Sequence, residues 1–235
     1  MECDRRSLNC YYAFMTAKTK AKILGTRENY HYGNLAEAIK DLAVELIAEH
    51  GEDGFSIREA AGILGVASSA VYRHYADKSA LLKAICEDGF YRLGQQWIGL
   101  LENPSASTDS TPQAISLARF SAGADAYFKF ATENPVLFQL MFGPHGTRCA
   151  EWSLFHEQSP NNPFSMLCKA LDDLLAAKVI SDQARLNAEY LAFSMIHGIS
   201  CLAVSGVFRD MTHDQLWSQL ALVKTNLITG LCAQK

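Results

Sequence analysis

The segment Ser56–Leu82, SIREAAGILGVASSAVYRHYADKSALL, constrains the fold of this chain more than any other stretch. Ile57, Ala60, Ala61 and Leu64 recur at helical spacing behind Ser56, an N-cap residue with Glu59 three positions on to complete a capping box. Gly65 permits the left-handed backbone that a sharp turn needs, and Val66 is placed to plug the hinge from the apolar side. A second helix opens at Ser68 or Ser69 and carries Val71, Tyr72, Arg73, His74 and Tyr75. Ala60 and Ala61 are small where two helices must cross closely, and Val71 is apolar where the second must face the first. That is the layout of a helix-turn-helix, whose second helix lies in the major groove of DNA. The bland alternative is an ordinary helical hairpin. A core helix, however, has no use for Ser68, Ser69, Tyr72, Arg73 and His74 within one short element. Those side chains suit phosphates and base edges, and they gather near a helix start, where the dipole favours phosphate.

The flanking sequence completes a small head. A first helix is predicted over about Asn34–His50, with Leu35, Ile39, Leu42, Leu46 and Ile47 as its apolar stripe, Glu37, Lys40, Asp41 and Glu49 outside it, and Gly51 as its stop. Asp77 caps a long helix that continues through Leu81, Leu82, Ile85, Phe90, Leu93 and Trp97 to Leu101. Three helices around one core, followed by a connecting helix, make a DNA-binding head on a stalk. Glu102–Pro112 reads as a Pro/Ser/Thr linker. Helices are predicted beyond it at Pro112–Thr132, Asn134–Phe142, Pro163–Ala177, Asp182–Val207 and His213–Leu231, with a loop at Gly143–Pro163 that holds Trp152 and Phe155. Alternating β-branched runs bounded by turns do not occur, so the class is all-α.

Charge gives only local support. The 235 residues carry a net charge of −4, which is not the balance of a protein that coats nucleic acid. Within Ser56–Lys83, though, Arg58, Arg73, Lys78 and Lys83 face only Glu59 and Asp77, so the footprint on DNA is expected to be compact. The seven cysteines are scattered and form no CxxC pair, which argues against a disulfide framework or a zinc site and leaves a redox-sensing thiol as a minor alternative. No Gly-rich phosphate loop, HExxH, GxSxG or paired-carboxylate spacing is present, so neither catalysis, a metal nor a cofactor is expected; an all-α hydrolase or transferase is the rival class. The N-terminus shows no signal-peptide pattern, and the expected compartment is cytoplasmic. Tyr190–Phe208 is long enough to span a bilayer and lacks a formal charge, yet Ser194, His197, Gly198, Ser200 and Ser205 mark it as a helix buried in a bundle or dimer. Residues 1–30 read as a flexible tail, or as a basic arm for the minor groove.

Val71-Tyr72-Arg73-His74-Tyr75, then Asp77-Lys78 and Leu81-Leu82, resembles the signature of the tetracycline-repressor (TetR) family of transcriptional regulators, in register over about Asn34–Tyr91. The resemblance implies a homodimeric repressor with a three-helix head and a larger helical domain that dimerises and binds a small effector. It further implies that the last two helices pair with the same two of a second subunit. Ile196-His197-Gly198 also resembles a Trp-His-Gly triplet that marks one subgroup, with Ile196 standing where the triplet has tryptophan. The expected domains are an arm at 1–30, the DNA-binding head at 31–80 and the effector and dimerisation domain at 81–235. Expected on DNA are Ser56, Arg58, Ser68, Ser69, Tyr72, Arg73, His74 and Lys78, with Tyr72 and Lys78 on phosphates and Arg58 on a base. The aromatic-rich second domain suggests a small, mainly apolar effector held by Phe128, Phe138, Met141, Phe164, Tyr190, Phe193 and His197. The predicted function is a repressor released from a palindromic operator by that effector. A constitutive or redox-responsive DNA binder is the alternative.

Overall fold

The computed structural model describes residues 35–102, 111–143, 146 and 162–233. The expected arm at 1–30 and the segments around Trp152 and Phe155 lie outside the described residues, as does all but the ends of the Glu102–Pro112 linker. Ten α-helices and no strand are found among the described residues. They fall into two compact units, one ending at Ile85 and the other beginning at Cys86.

In the first unit, α1 (Leu35–Gly54) buries Ala38, Ile39, Leu42, Ala43, Leu46 and Ile47, the spacing of one helical face. Lys40 departs from the expected solvent face: it is 8% exposed, and its ammonium pairs with Glu37 one turn earlier at 2.9 Å. Gly51 breaks the helix as predicted, with φ 75° and ψ 167°, and a further turn follows to Gly54. α2 (Ile57–Ile63) and α3 (Ser68–Tyr72) pack on each other and on α1. The expected capping box is not formed: Ser56 occupies the N-cap with extended backbone, but its side chain makes no cap hydrogen bond. The turn itself is closed by backbone. Gly65 takes φ 71°, its N–H donates to Gly62 O at 3.1 Å, and Val66 N–H reaches Ala61 O at 3.0 Å. This crossed pair is a Schellman ending, and it needs a residue at positive φ. Val71 is the buried residue of α3. The Tyr75 hydroxyl donates to Ala36 O at 3.0 Å, tying the end of the motif to α1.

α4 (Lys78–Glu102) carries the chain from the first unit into the second, and Asp77 caps it by accepting from Ala80 N at 2.8 Å. The second unit adds α5 (Pro112–Glu133), α6 (Pro135–Phe142), α7 (Pro163–Ala176), α8 (Asp182–Arg185), α9 (Ala188–Val204) and α10 (His213–Ala233). Proline at the first helical position opens α5, α6 and α7, and the Thr111 and Asn162 side chains cap α5 and α7. α5 and α9 form the centre, against which α7 and α10 pack. One cluster gathers Leu171, Leu174, Ile180, Ala188, Leu227 and Leu231; another joins Phe128, Ile196, Ile199 and Leu220.

The single helix expected over Asp182–Val207 is two. Leu186 is extended and Asn187 is left-handed at φ 60°, so the chain turns between α8 and α9. Asparagine tolerates that conformation better than most residues. Arg185 braces the corner through Asp172 and Glu189, each at 2.7 Å. α9 then stops before Gly206, at φ 82°, and among the described residues no helix is long and apolar enough to cross a membrane.

Candidate functional site

Two places gather candidate functional side chains, one in each unit. In the first, α2, its turn and α3 present Ser56, Arg58, Ser69, Tyr72, Arg73 and His74 to solvent, with Ser68 half-buried. Tyr72 is 44% exposed although it belongs to a helix of five residues whose one buried side chain is Val71. The helix thus keeps its apolar contact on one face and leaves its donors and aromatic ring on the other, as insertion into a groove requires.

Lys78 is placed differently from its neighbours. Its ammonium donates to the carbonyls of Glu52 at 2.6 Å and Phe55 at 3.1 Å, and it sits 5.6 Å from the centre of the Phe55 ring. A lysine has three donors, and two close the C-terminal end of α1. One donor remains for a phosphate. The first duty of Lys78 is therefore to fix the start of α4 against the turn that precedes α2. Tyr75 does comparable work through Ala36, and its place directly after Arg73-His74 was the signal available in the sequence.

In the second unit lies an apolar cleft of about 50 Å³ that opens to solvent. α4 contributes Leu93 and Trp97, and α5 contributes Phe120, Gly123, Ala124 and Tyr127. Pro163, Phe164 and Leu167 come from α7, and Ala192, Phe193 and Ile196 from α9. Of the seven residues expected to hold an effector, Phe164 and Phe193 line this cleft. Phe128, Phe138 and Met141 are fully buried instead, Phe128 edge-on against Trp217 and Phe138 against Tyr127. Tyr190 is 52% exposed and its ring tilts toward Phe164 at 6.2 Å.

His197 sits beside the cleft in a knot of rings. Its imidazole stacks on Phe193 at 5.1 Å and 16°, and it lies 4.7 Å from Phe142. Its Nδ1 shares a hydrogen bond with the Tyr127 hydroxyl at 2.7 Å, and its Nε2 lies 3.2 Å from Cys201 Sγ. Burial pushes the Tyr127 phenol well above its ordinary value, with the Cys201 thiol adding to the effect. Burial also lowers His197 and raises Cys201. All three groups are thus held neutral near pH 7, as phenol, imidazole and thiol. An imidazole carrying one proton serves both neighbours, donating to one and accepting from the other. The neutral thiol is a poor nucleophile, and burial raises Cys168 as well. Among the described residues, no group of His, Cys, Asp and Glu is arranged to hold a metal ion.

Comparison with known proteins gives a matching picture. Residues 39–85 match the family described as bacterial regulatory proteins, tetR family, and residues 120–222 match the tetracyclin repressor-like C-terminal domain. The HTH-type transcriptional regulator Rv1816 of Mycobacterium tuberculosis is 28% identical over 105 residues, covering 45% of this chain and 42% of that protein. The match thus spans less than half the length of this curated relative. A protein of unknown function from Rhodococcus sp. RHA1 is 25% identical, with TM-score 0.66, over 87% of this chain and 98% of its own. The transcriptional regulator FadR of Bacillus subtilis, solved with stearoyl-CoA, shares the fold at 17% identity and TM-score 0.59, over 83% of this chain and 98% of its own. So does a TetR from Acinetobacter baumannii AYE solved with minocycline, at 17% identity and TM-score 0.53, over 82% and 93% respectively.

Proposed function

The chain belongs to the TetR family of bacterial regulatory proteins, and from that premise we propose that it is a DNA-binding transcriptional repressor whose grip is released by a small, mainly apolar effector. The observation that carries this reading is the division of labour between the units. A helix-turn-helix with an exposed polar second helix lies in one, and a cleft walled by hydrocarbon and aromatic rings lies in the other. Two fold relatives were solved with a small molecule bound, stearoyl-CoA in one and minocycline in the other. In this reading the working form is a cytoplasmic homodimer on a palindromic operator, and the protein performs no catalysis.

On DNA, Arg58 is assigned to a base edge, Tyr72 to a phosphate, and Ser68, Ser69, Arg73 and His74 to whichever of the two they meet along the groove. Lys78 has one donor left for a phosphate. In the cleft, Phe164 and Phe193 touch the effector, while Phe128, Phe138 and Met141 support the surrounding core. The effector acts on DNA only to the extent that it binds one conformation of the protein better than another. A gel shift of the full chain with DNA from its own upstream region tests the reading. Specific binding that weakens on adding a small apolar compound is expected. Absence of sequence-specific binding at low salt would overturn it.

A further inference from the structure

One wall of the cleft is set by a steric fit between two residues that share no motif. Trp97 seats on α5 at Gly123, where an added Cβ would lie 2.2 Å from Cζ2 and 2.5 Å from Cε2 of the indole. Real side-chain carbons do not approach so closely. The indole is 6% exposed, yet its N–H is the buried side-chain group without a partner among the described residues. Among the described residues no hydrogen bond tethers the indole N–H, so the ring is held by packing alone, within the apolar cluster that includes Phe120 and Leu171 and on the bare backbone of α5 at Gly123. Both residues line the cleft, with Phe164 and Leu167 from α7 and Phe193 from α9. Tyr127 brings a hydroxyl to the lining, and that hydroxyl is already engaged by His197. None of the described lining residues carries a charge to offset an ionised group, and moving such a group from water into apolar surroundings is strongly unfavourable.

We propose that Gly123 and Trp97 set the specificity of this cleft: it takes an uncharged, apolar small molecule whose body lies against the Trp97 indole, and the missing side chain at Gly123 keeps room for it. This deepens the assignment of the cleft as the effector site and rests on it. A methyl group at position 123 removes the seat, and the untethered indole moves into the unfilled space beside it. The cleft is then closed from within.

Decanol and decanoate separate charge from shape, because they share a chain and differ in ionisation at neutral pH. Titrated into the full-length protein and followed by calorimetry, decanol should bind saturably and decanoate about tenfold more weakly or worse. Gly123→Ala should weaken decanol by about tenfold or more, the scale on which a methylene counts in an apolar pocket. Trp97→Leu removes every atom that would clash, so Gly123→Ala added to Trp97→Leu should leave decanol affinity as in Trp97→Leu alone. If Gly123→Ala melts well below the parent, Leu167→Trp closes the cleft from α7 and should likewise abolish decanol binding. The inference is overturned if decanoate binds as well as decanol, if neither binds, or if a folded Gly123→Ala or Leu167→Trp chain keeps the parent affinity. A gel shift on the parent protein keeps the two readings apart. Ligand-responsive DNA binding with a failed titration sinks this inference alone, and lack of specific DNA binding sinks the regulator reading whatever the titration shows.

Discussion

Lys78 and Arg58 were both expected on DNA, one on a phosphate and one on a base edge, and the structure adds a structural task for Lys78 alone. Arg58 is exposed in the first turn of α2, whereas Lys78 is half-buried and bonded to the carbonyls of Glu52 and Phe55. Charged hydrogen bonds of this kind contribute about 1.5–3 kcal/mol each when buried, and less here because the ammonium is partly solvated. Lys78→Ala is therefore expected to lower the stability of the head by about 1–3 kcal/mol in chemical denaturation, and to weaken specific and random DNA alike. Arg58→Ala should change stability by less than about 0.5 kcal/mol and cost about 1–3 kcal/mol on the operator alone. Equal melting of the two variants would refute the structural role of Lys78. The structural task of Lys78 was not legible in the sequence because its partners are backbone carbonyls, which leave no mark on composition.

His197 gives a second prediction at this scale. Burial lowers its pKa in the folded chain, so the unfolded chain binds the proton first as pH falls. Stability from the neutral imidazole is complete above about pH 6.5 and is lost progressively as pH drops from there toward the lowered value. Tyr127 and Cys201 carry the opposite shift, so their contribution is complete at neutral pH and is lost as pH rises beyond about 8.5. The melting temperature should therefore fall on both sides of a neutral plateau. His197→Gln keeps a neutral polar group and should flatten the acid limb. An unchanged acid limb in that variant would place the titration elsewhere.

At the scale of elements, what was legible was local. Gly51, Gly65, Asp77, Pro112, Pro135 and Pro163 each mark a helix boundary, because the φ of glycine and proline and the capping of aspartate act within one turn. Asn187 is also local, but nothing in Arg185-Leu186-Asn187-Ala188 forbids helix. The break there is fixed by Arg185 reaching Asp172 across to α7, a contact that sequence periodicity cannot show. The cleft was hidden for the same reason. Trp97, Gly123 and Leu167 come from three helices, and an aromatic stripe on a helix looks the same whether it faces a cavity, as Phe193 does, or a closed core, as Phe128 does. Gly65→Ala tests the local class. No atom lies within 4 Å of an added Cβ, so the cost is backbone strain at positive φ alone, about 1–2 kcal/mol. Asn187→Gly should be neutral or slightly stabilising at the α8–α9 corner. Thermal melts of both variants check the pair.

At the scale of the whole molecule, affinity for DNA has to be built from few contacts. α3 has five residues, and the net charge of −4 supplies little nonspecific attraction to phosphate. So small a basic footprint on one head favours the proposed homodimer, which would bring two heads on a two-fold axis to one operator. The second unit offers surface for the pairing. Leu202 on α9 is 40% exposed and Leu222 on α10 is 54% exposed, on two helices that pack together. Apolar side chains left in water on adjoining helices gain by meeting their own copies. The protein is therefore expected to sediment as a dimer at micromolar concentration and to protect two half-sites whose centres lie about 34–36 Å apart or a multiple of that. Leu202→Glu combined with Leu222→Glu should give a folded monomer with operator affinity reduced by orders of magnitude, because each head then binds alone. Analytical ultracentrifugation and footprinting on the same samples decide the matter. A parent chain that stays monomeric while saturating a single half-site would leave the dimer without support, as would a double variant that remains dimeric.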